Sequence, residues 1–193
     1  MASQPKTFLT PEQYLEIERK AEYKSEYFQG ETFVMAGGSP SHNQLGPNLI
    51  GELRPQTRGR CRLYSSDMRI RVPATGLYTY ADVIAVCGKP QLEDDHRDVL
   101  LNPVLIVEVL SPSTESYDRG RKFEHYRSIE TLQQYLLLSQ DRVHMELFTR
   151  QPSGPWMLTD ATGPDQTVEL TSIGCRISLA DVYEDVDLSD QTR

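Results

Sequence analysis

Two acids and one lysine, widely separated in the chain, have the residue types of phosphate-ester chemistry. Glu108 stands inside the run Val104-Leu105-Ile106-Val107-Glu108-Val109-Leu110. That run is rich in β-branched residues and too short for a membrane span, so it reads as a strand buried on both faces. A carboxylate there costs several kcal/mol unless a cation or a set of donors meets it. Asp82 heads a second such run, Tyr80 to Cys87. If the two strands are neighbours in one sheet, both acids point to one mouth. Two carboxylates are enough protein ligands for Mg²⁺ or Mn²⁺, with the carbonyl of Val109 as a further oxygen. Lys122, in SPSTESYDRGRKFEHYR, would come back over the strand end on a helix. As a point cation it would hold the attacking water and stabilise charge on the phosphorus oxygens.

Each of these residues also has a plainer reading. Glu108 could pair with Arg119 or Lys122 in a structural salt bridge, Asp82 could be a strand-start acid, and Lys122 could be a solvated helix residue with Asp118 four positions back. Ser111, Ser113 and Thr114 read as capping residues rather than nucleophiles. His96, His125 and His144 have no mutual metal spacing.

The elements that must position the acids follow from pattern. Thr10-Pro11-Glu12-Gln13 opens a helix with a capping box, and Tyr14, Leu15 and Ile17 give it an apolar face. Glu31 to Met35 is a short rim strand after Gly30. Leu45, Leu49 and Leu53 form one buried helical stripe, with Pro47 either in the first turn or at a kink. Cys61 to Ser65 and Met68 to Val72 are strands, the second alternating so that Met68, Ile70 and Val72 face the core and Arg69 and Arg71 do not. Gln134 to Leu138 turns through Ser139 to Arg142 into Val143 to Phe148, an antiparallel hairpin. Trp156 to Leu158 and Thr167 to Leu170 extend the sheet, and Leu179 to Tyr183 closes as a short helix. The order helix, three strands, helix, strand is an α/β core.

At 193 residues the chain suits a single domain spanning 1–193, with its core about residues 40–140. The N-terminal helix and C-terminal strands are extensions. Met1 to Pro5 lacks a following apolar core and no run approaches the roughly 20 apolar residues of a membrane helix, so the expectation is a cytoplasmic protein with no membrane partner. Cys61, Cys87 and Cys175 are odd in number, far apart and without CxxC, which argues against a zinc site or a disulfide framework. The net charge of −8, from 28 acids against 20 bases, excludes a generic nucleic-acid coat. The distribution is uneven, however. Arg54 to Arg71 holds six arginines and one acid, whereas Asp181 to Arg193 holds five acids and one base. One region could therefore attract a phosphate backbone while the rest repels it.

From about Thr10 to Tyr183 the chain resembles the Uma2 family, grouped with restriction endonucleases in the PD-(D/E)XK nuclease superfamily. The resemblance lies in Gly30-Glu31, Ser39-Pro40 with His42, Ser66-Asp67-Met68-Arg69-Ile70-Arg71, Tyr80-Ala81-Asp82-Val83 and above all NPVLIVEVLSPSTESYDRGRKFEHYR. It implies a restriction-endonuclease-like mixed β-sheet flanked by helices, with an αβββαβ core and added antiparallel strands at one end. It also implies a metal-dependent endonuclease acting on DNA, with Asp82 and Glu108 as metal ligands. Glu31 and His42 are further site candidates, and Arg69, Arg71 and Arg119 are candidates for the nucleic-acid backbone. Two departures stand out. Ala81 replaces the proline before the first acid, and Leu110 stands where the superfamily motif has lysine, so the lysine role passes to Lys122. The alternative is a catalytically inactive nuclease-fold protein acting as a binding or regulatory module. A homodimer would suit cutting of both duplex strands, though no sequence feature shows one. No GxSxG elbow or Gly-rich phosphate loop supports a serine hydrolase.

Overall fold

In a computed structural model of the chain, which describes residues 8–188, four layers stack in the order helix, sheet, sheet, helix. The readings of Met1 to Pro5 and of the last part of the acidic tail lie outside the described residues. The outermost layer is α1 (Pro11–Glu18), capped by Thr10, which accepts from Gln13 N while the Gln13 side chain accepts from Thr10 N. Its residues Tyr14 and Leu15 are buried against Tyr27 and Tyr78 of the first sheet. Ile17 is 54% exposed, so the apolar face is narrower than the pattern suggested.

The first sheet runs β2 (Glu31–Val34), β1 (Ser25–Phe28), β5 (Leu77–Tyr80), β4 (Arg69–Val72) and β7 (Val99–Leu100). The second runs β11 (Trp156–Thr162), β10 (His144–Arg150), β9 (Gln134–Ser139), β8 (Leu105–Leu110), β6 (Val83–Cys87) and β3 (Cys61–Ser65). Between the sheets lies one core cluster, with Ile70, Val72, Ile84, Ile106 and Tyr135. The outer face of the second sheet is covered by α2 (Pro40–Thr57), whose Leu45, Leu49 and Leu53 are fully buried as the four-residue spacing requires. Read along the second sheet's own chain order, α2, β3, β6, β8, a helical segment and β9 make the expected αβββαβ core. β8 and β9 pair in parallel across that helical crossover, and β9–β10 is the expected hairpin.

Several elements depart from the sequence reading. The run Tyr80 to Cys87 is two strands in two sheets: β5 ends at Tyr80, the chain bends at Ala81-Asp82, and β6 begins at Val83. Both halves are buried on both faces, so hydrophobicity carries no mark of the corner. α2 continues through Pro47 and Pro55, whose rings lie on its exposed side. Thr167–Leu170 (β12) does not extend the main sheet but pairs only with β13 (Cys175–Ser178), beside the closing helix α5 (Leu179–Val182). Cys61 and Cys87 are joined in a disulfide, against the expectation from their spacing. Separation along the chain is irrelevant here, because the β3–β6 register sets the two residues directly opposite each other.

Arg69 corrects a further expectation. Strand alternation does turn it away from Ile70, but the face it joins is covered by α1 rather than by solvent. Its guanidinium is sealed at 6% side-chain exposure, donating to Tyr80 Oη at 2.9 and 2.7 Å and to Asp98 Oδ2 at 3.1 Å. No phosphate backbone can reach it there.

Candidate active site

The β6–β8 register gives the first piece of geometry. Val83 pairs with Val107, Ile84 with Ile106 and Ala85 with Leu105 in antiparallel order, and Asp82, just before β6, donates its N–H to Val107 O at 3.1 Å, which brings it to the end of β8 that carries Glu108. The Asp82 carboxylate accepts from the Val109 backbone N–H at 2.7 Å, which ties it to the neighbouring strand. Its Oδ2 also lies 3.5 Å from His42 Nε2, on α2. Gly38 makes room for that ring, since a Cβ there would stand 2.6 Å from His42 Nδ1. His42 and Asp82 thus meet, whereas Glu31 opens β2 at the sheet rim opposite Phe28.

The acid that the first sheet sends toward the centre is Glu26. It lies on β1, faces the inter-sheet layer, and was not picked out in the sequence because no strand was read before Gly30. The signal was present in Ser25-Glu26-Tyr27-Phe28, an acid beside two adjacent aromatic residues.

The lysine arrives on an irregular helix. α3 (Glu115–Tyr117) passes through a π-helical turn at Asp118–Lys122 and resumes as α4 (Phe123–Tyr126). Such wide turns insert one residue and re-aim the side chains that follow. Here Asp118 and Lys122 both point between the sheets. Lys122 Nζ stands 3.0 Å from Glu108 Oε1, 3.4 Å from Asp118 Oδ1 and 3.5 Å from Glu26 Oε1. Tyr126 Oη donates to Glu108 at 2.9 Å, and Tyr117 Oη and the Thr79 hydroxyl donate to Glu26. The solvated-lysine reading is therefore excluded, while its proposed partner Asp118 is real.

The electrostatics follow from burial. Glu108 and Lys122 are each only 5% exposed in their side chains. Burial pushes the Glu108 carboxyl well above the ordinary carboxylate range, the Lys122 ammonium pulls against it, and Asp118 and Asp82 push the same way as burial. Asp118 is likewise raised, chiefly by burial. For Lys122 burial disfavours the charge, but Glu108, Asp118 and Glu26 outweigh it and hold the amine well above its usual value. It is thus an ammonium, a donor and not a base.

Three acids (Glu26, Glu108 and Asp118) surround a single lysine, and Asp82 lies near enough to Glu108 to act on it, so carboxyls outnumber cations in the cluster. Asp82, at 19% side-chain exposure, is its most open carboxylate. Glu26 and Tyr117 also line a groove of about 390 Å³ with Phe28, Phe33, Arg121 and His125, a second approach from solvent. Two of the arginines expected at the nucleic-acid backbone have acid partners: Arg71 with Glu93, and Arg119 with Glu115 and Glu146.

Comparison with known proteins agrees with this architecture. The Uma2 family model, described as "Putative restriction endonuclease", matches residues 11–180. Two uncharacterized proteins of Synechocystis are each 36% identical, one over 94% of both chains and the other over 84% of this chain and 93% of its own. A crystal structure from Anabaena variabilis, titled a putative nuclease of a domain-of-unknown-function family (DUF820), superposes with a TM-score of 0.70 at 17% identity, covering 91% of this chain and 98% of that one. At that identity the likeness establishes the fold.

Proposed function

This chain belongs to the Uma2 family, and we propose that it is a divalent-metal-dependent endonuclease that hydrolyses DNA phosphodiester bonds. The observation that carries the reading is the Lys122 ammonium 3.0 Å from Glu108 on β8, the strand whose next residue, Val109, donates its N–H to the Asp82 carboxylate at 2.7 Å. The donor set fits a hard cation, since it is built of oxygen and its acids outnumber its one lysine. Among the described residues no three His, Cys, Asp or Glu side chains converge as ligands. Two carboxylates remain, the number that Mg²⁺ or Mn²⁺ takes alongside waters. Asp82 and Glu108 would hold the ion, with the Val109 carbonyl as the third protein oxygen.

Bound there, such an ion supplies Lewis acidity and lowers the pKa of a water. The chain's own groups do the rest. Lys122, fixed as an ammonium, donates to the attacking oxygen and offsets charge gathering on the phosphorus oxygens. Tyr126 and Asp118 hold Glu108 and Lys122 in one orientation, so little reorganisation accompanies reaction. His42 lies beside Asp82, the more exposed of the two acids, where a substrate would approach.

A second reading, a binding or regulatory module on the same fold, is favoured by one observation: Glu108 and Lys122 close on each other with 5% exposure apiece. Plasmid nicking separates the two. With Mg²⁺ or Mn²⁺ the wild type is expected to nick, and Glu108→Ala, Lys122→Ala and the more exposed Asp82→Asn each to lose at least about 100-fold. Circular dichroism confirms that each variant is folded. Equal nicking by all four proteins would expose a contaminant and end the nuclease reading.

A further inference from the structure

The arginines expected to meet the nucleic-acid backbone are consumed by internal acids, yet another set of cations is not. A cleft of about 340 Å³ at the free edge of the second sheet is lined by Arg62, Lys89 and Arg97, together with Tyr64, Met68 and Leu92. No acid lines it. Among the described residues none of the three cations has a carboxylate within ion-pair distance. Of the acids nearest in sequence, Asp94 and Asp98 turn to Arg19, Asp98 also to Arg69, and Glu93 to Arg71, while Asp95 is exposed and does not line the cleft.

We propose that this cleft is the phosphodiester-backbone contact of the molecule, taking the phosphates of a DNA duplex whose cleaved bond lies at Asp82 and Glu108. The inference rests on the nuclease reading for its second half only. Three unpartnered cations crowded together repel one another, and in a chain of net charge −8 such a focus is where a polyanion can be held against the general repulsion. The cleft is also stiff. The Cys61–Cys87 bond lies next to Arg62 and two residues from Lys89, and Asn102 grips the Lys89 carbonyl at 3.1 Å and Gln91 N at 2.7 Å.

Placement sets the cleft and the acids on one three-strand stretch, with Ile84 and Ile106 of the inter-sheet core between them. Tyr64 pairs with Ile84 and Ile84 with Ile106, so Arg62, Tyr64 and Glu108 share one face of the sheet. Two strands across and four residues along, Arg62 and Glu108 are separated by roughly 16 Å of backbone, about five base-pair steps of ~3.4 Å.

The test is duplex binding by fluorescence anisotropy across a salt series, in EDTA, which needs no cleavage. Removing Arg62, Lys89 and Arg97 together by alanine is expected to flatten the plot of log affinity against log salt by about 2.7, close to one per cation. A control triple, Arg54→Ala/Arg127→Ala/Arg142→Ala, removes equal charge from other exposed sites and is expected to leave the slope near the wild type's. Arg97→Glu alone should weaken binding further than Arg97→Ala. Equal slopes for the two triples overturn the proposal, as does a wild type whose duplex binding ignores salt. So does binding of pyrophosphate at the cleft without competition by duplex. A wild type that binds with the expected slope but never nicks leaves the cleft standing and removes the nuclease reading instead.

Discussion

Glu108 sits where burial opposes its charge, and this fixes the sign of its contribution to pH stability. Because its carboxyl is raised well above the ordinary range, chiefly by burial, the folded chain takes up a proton there more readily than the unfolded one. That contribution is complete below about 4.3, the unfolded value, and is lost as pH climbs toward the raised folded value. Asp98 behaves oppositely. Hydrogen bonds from Arg19 hold its carboxyl at about 2, so its contribution is present above about 3.9 and lost as pH falls toward 2. Urea unfolding followed across pH is therefore expected to fall away on both sides in the wild type. Glu108→Gln should flatten the side above pH 4.3 and keep the acid limb. A Glu108→Gln profile parallel to the wild type on the upper side would mean that Glu108 is ionised throughout. The contact of Glu108 with Lys122 was legible, because an acid in a buried strand and a lysine one helix away demand partners. Glu26 was not, since β1 is four residues long and its neighbours looked like loop.

Strands and helices explain the other losses. The sequence pattern marks β6 and β8 by their apolar runs, but whether a run bends from one sheet into another at Ala81-Asp82 depends on contacts made by distant strands. The π turn at Asp118–Lys122 is similar: DRGRK reads as ordinary helix, and only the packing of Tyr117 and Tyr126 on either side shows the inserted residue. The Cys61–Cys87 bond was hidden for the same reason, since it depends on register. It ties the edge strand β3 to β6 across a sequence separation of 26, a loop whose closure limits the unfolded chain by about 3.5 kcal/mol. Adding dithiothreitol is therefore expected to shift the urea midpoint down by that amount divided by the measured slope, without changing far-ultraviolet dichroism at zero urea. An unchanged midpoint would mean that the two sulfurs carry no load in solution. Reduction should also loosen the strand that carries Arg62, so the salt slope of duplex binding offers a second readout of the same bond.

At the scale of the whole molecule, the four-layer stack explains why a charged cluster can be buried at all. Glu26 and Thr79 come from the first sheet, Glu108 from the second, and Asp118 and Lys122 from the helical crossover between them, so the cluster lies in the seam where three elements meet. Excess acid in a seam works against closure, because each unpaired carboxylate there costs several kcal/mol in desolvation. On the proposed reading, a divalent cation held by Asp82 and Glu108 would relieve that cost only in the folded chain, where the two acids are brought together. Its binding must therefore raise stability, by about 2.7 kcal/mol when the free ion is at a hundred times its dissociation constant. The ion competes with the proton that burial favours on Glu108, so binding is expected to strengthen as pH rises and to release protons into the buffer. Thermal unfolding with Mn²⁺ is thus expected to move the wild-type midpoint upward, more at pH 8 than at pH 6. Asp82→Asn, which keeps the shape and removes one anionic ligand, should abolish most of that rise. A midpoint that ignores Mn²⁺ at both pH values, or an Asp82→Asn protein that follows the wild type, would leave the seam as a closed salt-bridge network and favour the binding-module reading of this fold.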